Sequence, residues 1–380
     1  MDLAFCLFNY FPFGGLERNF LAIGRECIQR GHTIDVYTIA WEGDYPPNMA
    51  INIISVRGLS NHSRAASFAK RVAGVLDDPK YDLTVGFNKI PGVDLYYAAD
   101  VCYVLDIARR RTSLSKLTRR YHVYAELERS VFGRNAHTHI MYLSETEKKN
   151  YIRVYGTPEE RFHYLPPGID RNYIRAAISD QTKLATRRQL SLQDHQFMLL
   201  MVGSDFRRKG VSRAIAAVAA LPEKLRDRVE LFIVGKGKKT PFVHQAVKAG
   251  IGDHIHFLGG QSDVPRFLAG ADLFLHPAVT ENTGNAILEA IIAGVPVLAT
   301  ETCGYAFHVQ AGHCGLLVPE RFHQEVMNKL LLRMLVEEEL RELGKNGWSY
   351  ADRTDLYSRR QAAVKIIEDL ANKEGPRAVA

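Results

Sequence analysis

The chain has 380 residues, too many for one compact core, so two domains are expected. Hydrophobic residues at 46% allow large cores, yet no run of about 18 apolar residues occurs, which argues against a spanning helix. Lys and Arg number 49 against 42 Asp and Glu, and the net charge of +7 suits nucleic acid, an anionic membrane or phosphorylated substrates alike.

Met1-Asp2 leads into a six-residue apolar run at 3–8, too short and wrongly flanked for a signal peptide. Further apolar runs at 34–39, 51–56, 83–87 and 138–144 alternate with helical candidates such as 16–30. That alternation signals a parallel sheet covered on both faces. Directly after the first run comes Phe13-Gly-Gly-Leu-Glu-Arg18. Paired glycines let the backbone approach a phosphate, and the following helix presents its N-terminus. A plain strand-to-helix turn accounts for the same residues. The G-x-G-x-x-G spacing of a dinucleotide-dependent dehydrogenase is missing.

Residues 103–129 form the most basic stretch, with Arg109, Arg110, Arg111, Lys116, Arg119, Arg120 and Arg129 against Asp106, Glu126 and Glu128. Leu114, Leu117, Tyr121 and Tyr124 recur at helical spacing, so one apolar, aromatic stripe is expected beside the cations. Such a helix suits an anionic bilayer, or equally docking on its own domain with a solvated basic face. No nucleic-acid recognition motif accompanies it. Five cysteines, at 6, 27, 102, 303 and 314, show neither disulfide-framework nor zinc spacing, which fits a reducing, cytoplasmic compartment.

Tyr164-Leu-Pro-Pro-Gly-Ile-Asp170 breaks regular structure and marks a hinge between domains at 1–166 and 167–357. A second strand series begins at Phe197 and continues at 229–234, 255–258, 273–275, 295–300 and 315–318. The run 197–204 passes through Asp205-Phe-Arg-Arg-Lys-Gly210 into a helix at 211–221. Arg208 and Lys209 therefore sit in a strand-to-helix loop, where fixed cations neutralise a diphosphate. Glu281-Asn-Thr-Gly-Asn-Ala-Ile-Leu-Glu289 follows Leu273-Phe-Leu-His-Pro277. Its second glutamate lies in a helical stretch at 286–293, stopped by Gly294 and Pro296. Glu281 and Glu289 thus flank a helix N-terminus at the carboxyl end of a strand, where open α/β sheets bind ligands. The N–H groups of Thr283, Gly284 and Asn285 can face an anion, while carboxylates accept bonds from sugar hydroxyls. Taken alone, both glutamates also read as solvated helix-flanking charges; two loops with matching chemistry favour a nucleotide-sugar site. His276 and His308 are candidates for a general base, and for His276, before Pro277, a structural role is the better expectation.

Val234-Gly-Lys-Gly237, Phe257-Leu-Gly259, Ala271-Asp-Leu-Phe-Leu-His-Pro277, the glutamate pair and Ala293-Gly-Val-Pro-Val-Leu-Ala-Thr300 stand in a known order and spacing. With them the chain resembles the GT-B retaining glycosyltransferases of family four. Asn9-Tyr-Phe-Pro-Phe-Gly-Gly-Leu-Glu-Arg18, Trp41-Glu-Gly43, Gly86-Phe-Asn-Lys-Ile-Pro-Gly92 and Tyr96-Tyr-Ala-Ala-Asp-Val-Cys102 resemble the branch that adds glucose to inner-core heptose of bacterial lipopolysaccharide. The similarity covers nearly the whole chain.

The resemblance implies an α/β protein of two Rossmann-like domains facing a cleft, the first binding acceptor and the second nucleotide sugar. Helices near 358–372 would cross back onto the first domain, ahead of a disordered tail at 373–380. Arg208 and Lys209 would bind the diphosphate, Glu281 the sugar hydroxyls near the anomeric carbon, and Glu289 the ribose. Gly14, Gly15, Ser204, Asn282, Thr283, Gly284, Asn285 and Ala286 would complete the donor pocket. Asn88, Lys89 and Asp100 would face the acceptor, with Asp100 joining Glu281, Lys209 and Arg208 in the catalytic set. A turn residue and a surface lysine are the plainer readings of Asp100 and Lys89. The 103–129 segment, through Arg109, Arg110, Arg111, Lys116, Arg119 and Arg120, would face the membrane.

The implied partners are a UDP-sugar, the lipopolysaccharide core lipid and an anionic surface on the inner face of the cytoplasmic membrane, without nucleic acid. Fixed cations stabilise a leaving diphosphate unaided, and no Asp-x-Asp sits beside an apolar strand, so no metal or other cofactor is expected. UDP-glucose is the expected donor, with UDP-galactose and UDP-N-acetylglucosamine still open. Two positions depart from the family. Ser204 stands where an arginine follows the strand glycine, and Glu281-Asn-Thr-Gly284 replaces Glu-Gly-Phe-Gly. Retention by front-face attack is an expectation of the resemblance, since the sequence places no carboxylate on the opposite face. A nucleotide-sugar 2-epimerase and a non-catalytic membrane scaffold are the alternatives. The basic stripe argues against the first, and intact Glu281, Lys209 and Glu289 against the second.

Overall fold

The computed structural model describes residues 1–12, 14–110, 113–336 and 339–374. Two compact units emerge, Met1–Pro166 together with the segment from Ser358, and Pro167–Tyr357. The first holds β1 (Asp2–Tyr10), β2 (Thr33–Trp41), β3 (Ala50–Ile53), β4 (Leu83–Gly86), β5 (Leu95–Ala98), β6 (His139–Tyr142) and β7 (Phe162–Tyr164). They form one parallel sheet in the order β3-β2-β1-β4-β5-β6-β7. β4 and β5 are buried along their whole length, as central strands covered on both faces must be.

Side chains alternate across a strand, so one sheet carries two cores. Leu3, Phe5 and Leu7 of β1 pack with Phe20 and Ile23 of the helix Gly15–Gln29 and with Val364, Ile367 and Leu370 of the helix Arg359–Glu374. Cys6, between them, faces Phe68, Val72 and Phe132 on the other side. Glu368 fixes the last helix, accepting from Arg30 Nη1 at 3.0 Å and meeting His32 Nε2 at 2.9 Å. This helix runs on through Lys373 and Glu374, two residues into the expected disordered tail, because its apolar face is still packed at Leu370 and Ala371. Residues 375–380 lie outside the described residues.

The second unit holds β8 (Phe197–Val202), β9 (Val229–Val234), β10 (Ile255–Gly259), β11 (Leu273–His276), β12 (Val297–Thr300) and β13 (Gly315–Val318). Their order is β10-β9-β8-β11-β12-β13, again parallel. Met198 and Leu200 of β8 enter one core, Leu199 and Met201 the other. Both units are thus Rossmann-like. In each sheet the strand order reverses once, between β1 and β4 and between β8 and β11. At such a reversal successive connections leave toward opposite faces, and a crevice opens at the carboxyl ends of the two strands.

β5 and β7 were not expected from the sequence; at four and three residues they are too short to show a periodic pattern. The basic stretch is not one helix. It comprises Tyr103–Arg110, a 3-10 turn at Ser113–Leu117 and Arg119–Phe132. Thr118 sets the restart, its Oγ1 accepting from Tyr121 N at 3.2 Å as a helix N-cap. The five cysteines are buried and free. Among the described residues no helix is long and apolar enough to cross a membrane.

Candidate active site

β8 and β11 pair directly, Leu199 beside Leu273, so the loops that follow them leave the sheet side by side. Several contacts fasten 203–210 to 277–280. Val279 N donates to Arg208 O at 2.8 Å, and Arg213 Nη1 donates to Ala278 O at 2.9 Å. Gly210 sits so close that a Cβ there would lie 1.9 Å from Pro277 O, and its φ is +77°. Both facts demand glycine. Asp205 adopts φ +59°, a region that aspartate tolerates, and its Oδ1 accepts from Arg208 N at 3.3 Å.

This turn brings both cations onto Glu281. Arg208 Nη1 donates to Glu281 Oε2 at 2.8 Å, and Lys209 Nζ donates to the same oxygen. A parallel bridge to Cys303 holds the Glu281 backbone. Burial works against the carboxylate charge, but His276, Lys209 and Arg208 outweigh it and hold Glu281 well below the usual carboxylate range. Burial likewise opposes the Arg208 charge, and Glu281 more than offsets it. The cluster is one anion between two cations, with a net positive charge.

The two histidines have other places. His276 is buried beside Phe274, and its Nε2 lies 3.7 Å from Glu281 Oε2, too far for a good hydrogen bond. Burial and the Lys209 charge lower its pKa, which keeps the ring neutral. His308 is buried against Tyr350, with 2.7 Å between Nδ1 and the phenol oxygen. Burial pushes it down to about 4.

Beyond Glu281, Asn282 is buried, and Thr283 O accepts from Tyr305 N at 2.8 Å. Gly284, at φ +90°, turns the chain into the helix Asn285–Ile292. The first N–H groups of a helix lack helical partners, so this end, with Ala286 in its first turn, favours an anion. Asn285 and Glu289 are four residues apart and share a face of that helix. Asn285 Oδ1 is buried and accepts no hydrogen bond from the described residues. Ser204 Oγ accepts from Lys236 N at 3.3 Å, which ties the β8 loop to the β9 loop.

In the first unit the chain following β1, β4 and β5 carries Gly14–Gly15, Asn88–Lys89 and Asp100. Gly14 caps the helix Gly15–Gln29, yet the Glu17 carboxylate folds over it, and a Cβ on Gly14 would meet Glu17 Oε2 at 1.6 Å. The anion expected at that helix end is supplied by the chain itself. Burial raises the Glu17 pKa, its own backbone N–H lowers it, and Asp100 raises it again, for a net rise. Asn88 Oδ1 accepts from Phe8 N at 2.6 Å and links the ends of β1 and β4. Lys89 is no surface lysine: its Nζ donates to Glu128 Oε2 at 2.5 Å, and the Glu128 side chain is fully inaccessible. Asp100 is exposed.

Lys116, Arg119 and Arg120 are exposed, and Leu114 and Leu117 project into solvent at 72% and 75% exposure. Tyr121 and Tyr124 instead pack on Tyr103, with ring centroids at 5.9 and 5.5 Å. The expected single stripe is therefore divided at Thr118. Arg111 and the side chains of Arg109 and Arg110 lie outside the described residues. Glu17 and Glu128 escaped the sequence reading. Glu17 had a usable signal, the third helical position, where an acidic side chain caps its own helix. Glu128, four residues from the end of its helix, had none.

The family model for glycosyl transferases group 1 matches residues 182–348, and that for glycosyltransferase family 4 matches residues 13–173. The lipopolysaccharide glucosyltransferase WaaG of Escherichia coli K12 is 43% identical over 370 residues, 97% of this chain and 98% of that protein. A crystal structure of WaaG, a glycosyltransferase involved in lipopolysaccharide biosynthesis, matches with a TM-score of 0.89 at 42% identity, over 96% of this chain and 99% of the other. Anabaena Alr3699/HepE, solved with UDP-glucose, has the same fold at a TM-score of 0.74 and 19% identity, over 97% of this chain and 100% of its own.

Proposed function

This chain belongs to the GT-B glycosyltransferases of family four that include WaaG, and from that premise we propose that it moves glucose from UDP-glucose to inner-core heptose of lipopolysaccharide, retaining the anomeric configuration. The observation that carries this reading is the Arg208–Glu281–Lys209 cluster at the paired ends of β8 and β11. As the bond from the anomeric carbon to the diphosphate breaks, negative charge grows on the leaving oxygen. Cations already fixed in a partly buried pocket stabilise that charge without reorganising, which is where most electrostatic catalysis originates. The diphosphate competes with Glu281 for Arg208 and Lys209, and the displaced carboxylate accepts from sugar hydroxyls. The helix end at Gly284–Ala286 adds its dipole, and Glu289 accepts from the ribose.

Asn285 Oδ1 offers an acceptor that a donor-sugar hydroxyl can fill, and Ser204, Asn282 and Thr283 line the same side. Gly14 and Gly15 meet the diphosphate once the Glu17 carboxylate withdraws from the helix end. Asn88 and Asp100 belong to the acceptor side. A heptose hydroxyl oxygen bonds to the anomeric carbon while the bond to UDP breaks, and the hydroxyl proton passes to the departing phosphate oxygen. Fixed cations serve in place of a metal ion. Lys116, Arg119 and Arg120, with Arg109, Arg110 and Arg111, hold the enzyme peripherally on the anionic inner face of the cytoplasmic membrane.

The test is incubation of purified protein with UDP-glucose, UDP-galactose or UDP-N-acetylglucosamine, each with and without lipopolysaccharide ending at inner-core heptose. Mass spectrometry should show one added hexose only where UDP-glucose and the acceptor are both present. Epimerised nucleotide sugar formed without acceptor, or no turnover with any donor, would contradict the reading.

A further inference from the structure

The segment 100–104, which leads from β5 into the helix Tyr103–Arg110, is fastened at five consecutive backbone positions by side chains from elsewhere. Tyr151 OH donates to Asp100 O at 3.0 Å, and Lys89 Nζ donates to Val101 O at 3.4 Å. Cys102 N donates to Glu147 Oε2 at 2.8 Å. Tyr103 N and Val104 N donate to Glu128, to Oε2 at 2.7 Å and to Oε1 at 3.3 Å. Glu128 also receives Lys89 Nζ at 2.5 Å, Tyr155 OH at 2.7 Å and Cys102 Sγ at 3.5 Å. A single buried carboxylate thus collects a cation, a phenol, a thiol and the first N–H groups of a helix, whose dipole favours its charge. Burial opposes ionisation of both partners, yet Lys89 holds Glu128 below its usual range and Glu128 holds Lys89 above its own, so the pair is charged.

A buried ion pair contributes little net stability over an apolar pair of the same shape, so stability does not explain this network. What the network does fix is the place of Asp100, exposed at the head of the segment, relative to the chain after β4 and to the basic stretch that begins at Tyr103. We propose that Glu128 and Lys89 are a positioning pair that sets Asp100 for the acceptor, so that Lys89 acts through the 100–104 segment and not on the acceptor itself. The proposal rests on the acceptor-side reading of Asp100.

The experiment compares Glu128→Gln, Lys89→Met, the double variant and Asp100→Asn. Each is measured for melting temperature, for kcat and KM with lipopolysaccharide ending at inner-core heptose, and for hydrolysis of UDP-glucose without acceptor. Misplacement of a substrate-facing group by about 1 Å can cost about 100-fold, so each single variant should raise the acceptor KM about 10- to 100-fold while donor-only hydrolysis stays within about twofold. The double variant should match the singles instead of multiplying them, because the pair acts as one device. An unchanged acceptor KM in folded pair variants, or donor-only hydrolysis falling in step with transfer, would overturn the proposal. Asp100→Asn separates the two claims. A normal acceptor KM there removes Asp100 from the acceptor side, and the proposal with it; a raised KM there beside normal pair variants overturns the positioning alone. Where a single variant does not fold, the double variant leaves no unpaired buried charge and supplies the same readout.

Discussion

Lys209 and Arg208 share one oxygen of Glu281, so deleting the lysine still leaves that carboxylate a partner. Lys209→Ala should therefore disturb the fold little. Its kinetic effect is larger, because charge on the diphosphate grows as the glycosidic bond breaks and the lost contact belongs to the transition state. By analogy with removal of one oxyanion-hole donor, kcat should fall about 100-fold or more. Lys209→Arg should restore only part, since a planar fork cannot occupy a point charge's position. Glu289→Gln is the contrast, weakening UDP and UDP-glucose binding alike. Steady-state kinetics and melting curves decide it, and a Lys209→Ala enzyme with near-normal kcat would remove the lysine from the mechanism.

A second residue-scale prediction concerns pH. The unfolded chain protonates His308 near its ordinary 6.5, whereas the folded chain refuses the proton until about 4. Stability from neutral His308 is thus complete above pH 6.5 and is lost as pH falls toward 4. A gap of this size corresponds to about 3 kcal/mol. His308→Gln keeps a partner for Tyr350 without titrating, and should flatten the fall in melting temperature between pH 6.5 and 4; an identical slope in both proteins would contradict this. Residues of this scale were unequally legible. Arg208, Lys209 and Glu281 follow apolar runs that fix where they emerge. Glu17 and Glu128 depend on burial by distant segments, which no local pattern carries.

Among the elements, the basic stretch shows both what periodicity reveals and where it misleads. Leu114, Leu117, Tyr121 and Tyr124 fit a helical period, but Thr118 restarts the helix between them, and the tyrosines fold back onto Tyr103. The threonine was in plain view as a capping type; the period outweighed it in the reading. What faces outward is Leu114 and Leu117 among Lys116, Arg119 and Arg120. Binding to anionic vesicles should therefore have two parts. Changing Arg109, Arg110, Arg111, Lys116, Arg119 and Arg120 to Gln should abolish the salt-sensitive part, since exposed charges are screened over about 8 Å at physiological ionic strength. Leu114→Ser with Leu117→Ser should weaken binding even at low salt, because apolar insertion is not screened. Vesicle co-sedimentation checks both, and full binding by the six-Gln protein would refute the assignment.

For the whole molecule, long apolar runs announced two parallel sheets, and each sheet's single reversal of strand order then marks where a ligand can sit. The sequence could not show which strands pair, so the adjacency of β8 and β11 emerged only in the structure, and with it the shared Glu281. That arrangement bears on metal dependence. Two fixed cations already meet the charge a divalent ion would offset, so activity should persist in excess EDTA. Complete loss, restored by Mg²⁺ or Mn²⁺, would contradict this.

The most direct test of the account is proton NMR of the product formed from UDP-glucose and lipopolysaccharide ending at inner-core heptose. The sugar in UDP-glucose is α-linked, and front-face transfer at the Arg208–Lys209–Glu281 cluster predicts a single new α-linked glucose on heptose. A β-linked glucose, or no transfer under conditions in which the protein is folded and binds UDP, would contradict it.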